Sequence, residues 1–449
     1  MANFIKYKTI YFIGIGGIGL SALARYFLSR GFKVAGSDRS SSPIITDLAN
    51  EGALIHIGHD ANNLKKLKNV LIIHSQAIKA DNPEMEQAKK MDLECRSYPQ
   101  VIGELTKKFK TIALAGAHGK STTTALVALI MIEAGLDPTV IIGTKLKEFN
   151  GSNFRSGKSN YLVLEADEYG GAFWNYFPFI SAITNIDREH LDFYRNFSGV
   201  KRSFRKFLKN HKVGSRIIYN DLDKNLKKIV SASEMEPVPI SKVDPISQRN
   251  IKNSLKIYGE HNFKNALVAY SIGRALDIPH KTILKALGHY EGAWRRMEFR
   301  GNLKIHGANG RTISIFDDYA HHPNEIKATL QGLREKYPKN YLICVFQPHQ
   351  AQRLKLLFND FKKAFKKADR TVLLPIYKVI GREKILEEKY SSRSLSKFVK
   401  KSIYTEGPEK DLLPVIESII KGIKSPITIV FMGAGDINMY SEQLLTKYK

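Results

Sequence analysis

The stretch Thr111–Thr124, T-I-A-L-A-G-A-H-G-K-S-T-T-T, decides how this chain is read. Thr111 to Ala115 is a short apolar run that predicts a buried strand, and an apolar helical pattern follows Thr122 and ends near Gly135. Between them Gly116, His118, Gly119, Lys120, Ser121 and Thr122 spell G-x-x-G-K-S, two residues tighter than the usual phosphate loop. The groups needed are all present: backbone amides for phosphate oxygens, the Lys120 ammonium for the β and γ positions, and the Ser121 hydroxyl for Mg2+. A nucleoside triphosphate is the ligand such a loop fits best.

A divalent ion held there needs a carboxylate. Tyr161 to Leu164 reads as a strand that delivers Glu165, Asp167 and Glu168 at its C-terminal end, where sites in α/β sheets lie. Ser181 to Ile186 reads as the next strand and delivers Asn185 and His190 in the same way. With the loop, these residues form a candidate site for one or two Mg2+ ions.

A second glycine loop lies nearer the start. Ile10 to Ile13 reads as a buried strand running into Gly14, Gly16, Gly17 and Gly19, and Leu20 to Leu28 has a helical pattern. This is G-x-G-x-x-G between strand and helix, where glycines allow close approach to phosphate and the helix start supplies amide donors. Asp38 follows the next strand at about the spacing of a ribose-binding acid. The loop alone indicates a nucleotide diphosphate, with a nicotinamide dinucleotide as first candidate.

Around these loops, short β-branched runs alternate with helical patterns: Lys33 to Gly36, Val70 to Ile73, Thr312 to Phe316, Tyr341 to Phe346, Thr371 to Leu374 and Ile427 to Phe431. That alternation predicts βαβ units around mostly parallel sheets. At 449 residues the chain is expected to form three domains, by the prior of roughly 100–200 residues each. The expected boundaries are 1–106, 107–299 and 300–449. Ser231 to Arg249 has prolines and no clear period, which predicts a loop-rich insertion or a few short strands.

The composition narrows the function classes. A hydrophobic fraction of 43% and a charged fraction of 25% are those of a packed globular protein. The longest apolar run, Ala125 to Ile132, falls far short of the roughly 20 residues that cross a bilayer. Met1 to Thr9 lacks the pattern of a secretory signal, so the cytoplasm is expected. Cys95 and Cys344 are too few for a disulfide framework or a zinc cluster. The net charge of +27 is spread along the whole chain, and its densest group, Lys362, Lys363, Lys366 and Lys367, is expected to be a solvated helix face. A nucleic-acid partner is therefore not expected; a DNA- or RNA-stimulated ATPase would need steep salt dependence.

Taken in order, the motifs resemble those of the Mur ligases over essentially the whole chain. The opening G-I-G-G-I-G-L-S-A-L-A resembles the family's UDP-binding loop, and A-G-A-H-G-K-S-T-T-T (Ala115–Thr124) its ATP loop. Glu165–Tyr169 (E-A-D-E-Y) and Thr184–Asp192 (T-N-I-D-R-E-H-L-D) look like its metal-binding segments. Gly259–Asn262 (G-E-H-N) with Arg295 and Arg296 resembles its ATP contacts. Asp317–Pro323 (D-D-Y-A-H-H-P) and Phe346–Arg353 (F-Q-P-H-Q-A-Q-R) resemble its C-terminal substrate motifs. The chain departs at Ala117 and Ser121, where Thr is common, at Glu189, where Asp is usual, and at Gln350, Ala351 and Gln352.

The resemblance implies an α/β fold of three domains: N-terminal Rossmann-like, central P-loop ATPase-like with a parallel sheet, and C-terminal Rossmann-like. It implies that Gly14, Gly16, Gly17, Gly19 and Asp38 hold the uridine diphosphate of a sugar substrate rather than a dinucleotide, which leaves a nicotinamide oxidoreductase without a use for Lys120. ATP would phosphorylate the lactyl carboxylate of UDP-N-acetylmuramate, and the amine of L-alanine would attack the acyl phosphate. Gly116, His118, Gly119, Lys120, Ser121, Thr122, Asn262 and Arg296 would hold ATP. Ser121 and Glu165 would bind one Mg2+, Glu165 and His190 a second. Tyr319, His321, His349 and Arg353 would place the alanine, and Lys120, Glu165, His190 and His321 form the implied catalytic set. The alternative within the family attaches a tripeptide to the same sugar. A monomer or weak homodimer is expected.

Overall fold

The computed structural model describes residues 4–211, 214–304, 312–377, 387–406 and 408–448. Among them the strands form three sheets. The first contains β1 (Thr9–Ile13), β2 (Lys33–Asp38), β3 (Leu54–Ile57), β4 (Val70–His74) and β5 (Glu94–Ser97), parallel throughout in the order β3-β2-β1-β4-β5. Ile10, Tyr11, Phe12 and Ile13 of β1 are all buried, which is why this central strand reads as a continuous apolar run rather than an alternating one. Strand order reverses beside β1, so the loop leaving it opens into the crevice where parallel sheets bind ligands. That loop feeds α1 (Ile18–Ser29). After β2 comes α2 (Pro43–Asn50), started by Pro43 in its first turn and by the Ser42 hydroxyl accepting from the Ile45 amide.

The second sheet contains β6 (Lys110–Ala115), β7 (Thr139–Leu146), β8 (Ser152–Arg155), β9 (Tyr161–Glu165), β10 (Ile180–Ile183), β11 (Arg216–Tyr219) and β12 (Glu236–Pro239). Its order is β12-β11-β10-β6-β9-β7-β8. β6 lies between β9 and β10, so the loops leaving all three strands share one edge of the sheet. The sheet is mixed rather than wholly parallel, because β8 runs antiparallel to β7. The short turn between them, residues 147–151, cannot make the crossover a parallel pair needs. The segment 231–249 supplies the edge strand β12, a 3-10 turn at Ile240–Lys242 and the start of helix Pro245–Ser254. Pro237 and Pro239 are tolerated in β12 because an edge strand has one row of amides with no partner to reach.

The third sheet contains β13 (Glu298–Lys304), β14 (Thr312–Asp318), β15 (Tyr341–Phe346), β16 (Arg370–Leu373), β17 (Ser402–Tyr404) and β18 (Ile427–Met432), in the order β13-β14-β18-β15-β16-β17. Only β13 is antiparallel to its neighbour. Lys362 to Lys367 form turns after helix Phe358–Phe361 instead of the expected helix face. Lys362 is half-buried with its ammonium 4.0 Å from the Phe398 ring centre, while Lys363, Lys366 and Lys367 are exposed. Cys95 and Cys344 are free thiols.

The chain divides into two compact units, Met1–Ser254 with Lys264–Tyr290, and Leu255–Phe263 with Glu291–Lys449. The first holds the first two sheets, joined by one apolar cluster that includes Phe12, Leu23, Ala113, Leu164, Phe173 and Phe207. In the second, Ile315, Ile343, Ile429 and Phe431 pack on one face of the sheet and Phe316, Leu342, Phe346 and Val430 on the other. Among the described residues no helix is long and apolar enough to cross a membrane.

Candidate active site

At the C-terminal edge of the second sheet, β6 ends at Ala115 and the chain turns through Gly116 and Gly119 into helix Lys120–Glu133. Both glycines have positive φ, +133° and +82°. A Cβ on Gly116 would lie 2.2 Å from Thr184 Oγ1, and one on Gly119 2.3 Å from Asn265 Oδ1, so neither site has room for a side chain. The turn is held from the extension of β10. The His118 amide donates to Asn185 Oδ1 at 2.9 Å, and the His118 carbonyl accepts from Asn185 Nδ2 at 2.9 Å and Thr184 Oγ1 at 2.6 Å. β10 ends at Ile183, earlier than the run to Ile186 suggests, and the Thr184 and Asn185 side chains that follow it bind the loop. The His118 ring lies 2.9 Å from Asp187 Oδ2.

Lys120 turns back over this loop. Its Nζ donates to Gly116 O at 2.7 Å and to Glu168 Oε2 at 2.7 Å, with Asp167 Oδ1 at 3.8 Å. Glu168 is buried, and its other oxygen lies 3.4 Å from His190 Nε2. His190 sits in the left-handed region at φ +53°, immediately before helix Leu191–Tyr194, whose Tyr194 hydroxyl donates to the Glu168 carbonyl. Burial acts to raise the Glu168 carboxyl, but the Lys120 charge and then His190 outweigh it and hold it below its ordinary range. Burial likewise opposes the Lys120 ammonium and the His190 imidazolium. The acids around them, Glu168 foremost, win and raise both.

Glu165, the last residue of β9, has a different partner. Its Oε1 accepts from Ser121 Oγ at 2.8 Å and its Oε2 from the Gly143 amide at 2.7 Å. Ser121 and Glu165, the pair expected to share one Mg2+, are in contact, whereas the carboxylate beside His190 is Glu168 rather than Glu165. Ligand atoms of Asp167, Glu168 and His190 lie within 4.8 Å of one another. Thr122 is buried in the first turn of the helix.

In the first sheet, Gly14 has φ +85°, and the amides of Gly14 and Ile15 both donate to Ser37 O, at 2.8 and 3.0 Å. Asp38 Oδ2 accepts from the Gly16 amide at 2.8 Å, so the acid expected at a ribose also closes the glycine loop. A Cβ on Gly16 would lie 2.9 Å from that oxygen, and one on Gly19 3.1 Å from the Tyr98 ring. Gly17 is the residue before α1.

The second unit gathers the remaining candidates around the ends of β14, β15 and β18. The Arg295 and Arg296 guanidiniums lie 5.1 and 5.0 Å from the Tyr319 ring centre. The Tyr319 and His321 rings are 5.3 Å apart, His321 and His349 5.9 Å, and His349 stacks on Tyr377 at 5.7 Å. Arg353 Nη1 is 3.3 Å from His349 Nδ1 and donates to His349 O at 3.2 Å. Asp318 accepts from the Met297 and Ala320 amides, each at 2.7 Å, and burial pushes its carboxyl up to about 6 against Arg296 and those amides. Asn262 Nδ2 donates to Tyr258 O at 2.8 Å in the same unit.

Three contacts escaped the sequence reading. Glu168 was legible as a strand-end acid but not as the partner of Lys120. Asn265 fills the space beside Gly119, and its only signal is its place one turn after Asn262. Gln347 Nε2 donates to Asp436 Oδ1 at 2.9 Å, a contact across two strands that no local pattern announces.

A strand, a glycine turn carrying Lys and Ser at a helix start, and acids from the two neighbouring strands define a P-loop enzyme that uses a nucleoside triphosphate. Three family descriptions cover most of the chain: the Mur ligase family catalytic domain at residues 9–110, the Mur ligase middle domain at 114–248, and the Mur ligase glutamate ligase domain at 295–435. The chain belongs to the Mur ligase family. It is 36% identical over 476 residues, covering 99% of each chain, to a UDP-N-acetylmuramate–L-alanine ligase of Clostridium botulinum. It is 35% identical, covering 98% of each chain, to the ligase of that name from Aquifex aeolicus. Among solved structures, a UDP-N-acetylmuramate-alanine ligase of Thermotoga maritima matches with a TM-score of 0.78 at 25% identity, covering 98% of this chain and 99% of that one. A murein peptide ligase of Psychrobacter arcticus shares the fold, with a TM-score of 0.71 at 23% identity over 98% of each chain.

Proposed function

We propose that this chain joins L-alanine to the lactyl carboxylate of UDP-N-acetylmuramate in the assembly of peptidoglycan precursors, with ATP converted to ADP and phosphate. The observation that carries the reading is the edge of the second sheet, where a phosphate loop, a Lys120 ammonium and two buried or half-buried carboxylates converge. The relatives of 35–37% identity over nearly the whole chain carry the alanine ligase name, which favours alanine over the tripeptide as the amine.

The donors at that edge, Ser121 Oγ, Glu165, Asp167 and Glu168 with His190, are mainly oxygen and fit Mg2+. When bound, the ion would neutralise phosphate charge as the γ-phosphoryl group is transferred. Ser121 and Glu165 would hold one ion, and His190 with the neighbouring acids a second. The chain's own residues then orient the reactants. Lys120 places its ammonium where negative charge builds on the γ-phosphate, and the backbone amides at the start of helix Lys120–Glu133 cradle the β-phosphate, since those of Ala117 and His118 are bonded to Asn185. The carboxylate oxygen of the sugar attacks phosphorus, the β–γ bridge bond breaks, and ADP leaves. The alanine nitrogen then attacks the acyl carbon, phosphate departs, and the amide forms.

To the first sheet the same reading gives the uridine diphosphate, held by Gly14, Gly16, Gly17, Gly19 and Asp38. To the second unit it gives nucleotide contacts from Asn262 and Arg296. There the Arg353 guanidinium would pair with the alanine carboxylate through two parallel hydrogen bonds, and Tyr319, His321 and His349 would position the amine end. The proposed domains are 1–106, 107–299 and 300–449, working in the cytoplasm as a monomer or weak homodimer without nucleic acid.

The test is phosphate release from purified protein given ATP, Mg2+ and UDP-N-acetylmuramate while the amine is varied. Turnover with L-alanine and none with the tripeptide is expected. The reverse preference would move the chain to the tripeptide branch, and no ATP consumption with any amine would sink the reading.

A further inference from the structure

The turn between β7 and β8 makes them a hairpin at the edge of the second sheet, yet three of its residues reach parts of both nucleotide cradles. Asn153 on β8 is fully buried. Its Nδ2 donates to Ile18 O at 2.6 Å and to Ser21 Oγ at 2.9 Å, in the first turn of α1 directly after Gly17. Its Oδ1 accepts from Arg25 Nη1 at 2.7 Å, and Arg25, only 5% exposed, is itself fixed by Glu51 at 2.8 Å. One amide side chain thus uses both its donor and its acceptor to grip the helix that carries the first glycine loop.

On β7, Lys145 Nζ lies 2.8 Å from Asp47 Oδ2 on α2. α2 backs the same loop, since a Cβ on Gly16 would lie 3.0 Å from the Ile45 side chain. Two residues before Lys145, the Gly143 amide donates to Glu165 Oε2 at 2.7 Å. A Cβ on Gly143 would lie 3.0 Å from that carboxylate, so strand and acid are in direct contact.

The geometry points to the β7–β8 hairpin as a strut that sets the distance between the sugar-nucleotide loop and the metal-binding carboxylate, with Asn153 and Lys145 as its positioning residues. This rests on the ligase reading above, in which a carboxylate anchored by the first cradle must meet a phosphoryl group held by the second. Phosphoryl transfer depends on that alignment, and a displacement of about 1 Å costs on the order of 100-fold in rate. Neither residue touches substrate in this account. Their loss should therefore lower kcat while each cradle, still intact, binds its own nucleotide.

The experiment compares Asn153→Leu, Lys145→Met and Lys145→Arg with the wild type, measuring kcat by phosphate release and, by calorimetry, the separate Kd values of UDP-N-acetylmuramate and of ATP with Mg2+. In Asn153→Leu, kcat is expected to fall roughly 10- to 100-fold with both Kd values within about threefold of wild type. Lys145→Met should lower kcat by roughly 3- to 10-fold, and Lys145→Arg, which keeps the ion pair, should stay within about twofold. Lys145 and Asp47 are partly exposed, so this pair reports even where Asn153→Leu does not fold. Wild-type kcat in Lys145→Met, or a loss that appears wholly as weaker sugar-nucleotide binding, overturns the strut. A wild-type protein that consumes no ATP would instead remove the ligase reading and is recognised before any variant is compared.

Discussion

The partly buried Lys120 pairs with the buried Glu168, Nζ to Oε2 at 2.7 Å, across the mouth of the phosphate loop. The lysine expected to meet a γ-phosphate is held in place by an acid from the next strand's end, poised where the triphosphate would arrive. Lys120→Ala should abolish phosphate release, a loss of several kcal/mol of transition-state stabilisation or at least roughly 1,000-fold. UDP-N-acetylmuramate binding by calorimetry should survive, and near wild-type turnover would defeat the assignment.

The other half of the pair carries a stability prediction. Glu168→Ala leaves the partly buried Lys120 charge with one close partner gone and takes the carboxylate from His190. Breaking a buried pair costs roughly 3–5 kcal/mol. Chemical denaturation should show a loss of that order, and turnover should fall with it; an unchanged midpoint would mean that water already screens the pair.

Gly119→Ala tests the loop's geometry. At φ +82°, with Asn265 Oδ1 2.3 Å from the new Cβ, either the turn or the Asn265 amide must move. The strain is on the order of 1–3 kcal/mol before the clash is counted. ATP affinity should drop at least about tenfold while the sugar nucleotide binds as before, and retained ATP binding would show that the loop tolerates a shift.

Arg353→Lys separates charge from shape. An ammonium keeps the positive charge but loses the planar pair of donors. The KM for L-alanine should rise roughly tenfold with kcat at saturation within a few-fold. An equal fall in kcat would place Arg353 in the chemical step.

A pH effect on stability is expected far from the catalytic edge. Burial pushes the His211 imidazole down to about 4, although carbonyls at Leu208 and Phe207 pull the other way. The unfolded chain takes up this proton near pH 6.5, so the contribution is complete above that value and drains away down to pH 4. The whole effect is about 3 kcal/mol at 1.36 kcal/mol per unit. Denaturation of wild type and His211→Gln at pH 7.5 and 4.5 should show the larger loss in wild type. Parallel losses would place the proton elsewhere.

Much of this architecture was legible because its signals are local. Gly14 to Gly19 and Gly116 to Ser121 each sit between an apolar strand and a helix, and backbone sterics alone make glycine necessary at Gly116 and Gly119. The strand read as Tyr161 to Leu164 runs one residue further and carries Glu165 at its end. Other features were hidden for physical reasons. β12 contains two prolines and hardly any apolar signal, and it forms because β11 offers an open edge. Thr184 and Asn185 lie in a run read as strand, and their side chains bond to the His118 backbone.

Which segments become strands, loops and helix starts around the two glycine loops is written locally in the chain, since period, glycine placement and a Lys-Ser pair act over a few residues. Which side chains meet is settled by packing alone. Glu165 faces Ser121 and Glu168 faces Lys120 and His190, although the two acids stand three residues apart in the chain. Asn153 reaches Ile18 across 135 positions for the same reason: such pairings are set by how sheets and helices stack, and chain spacing carries no record of it.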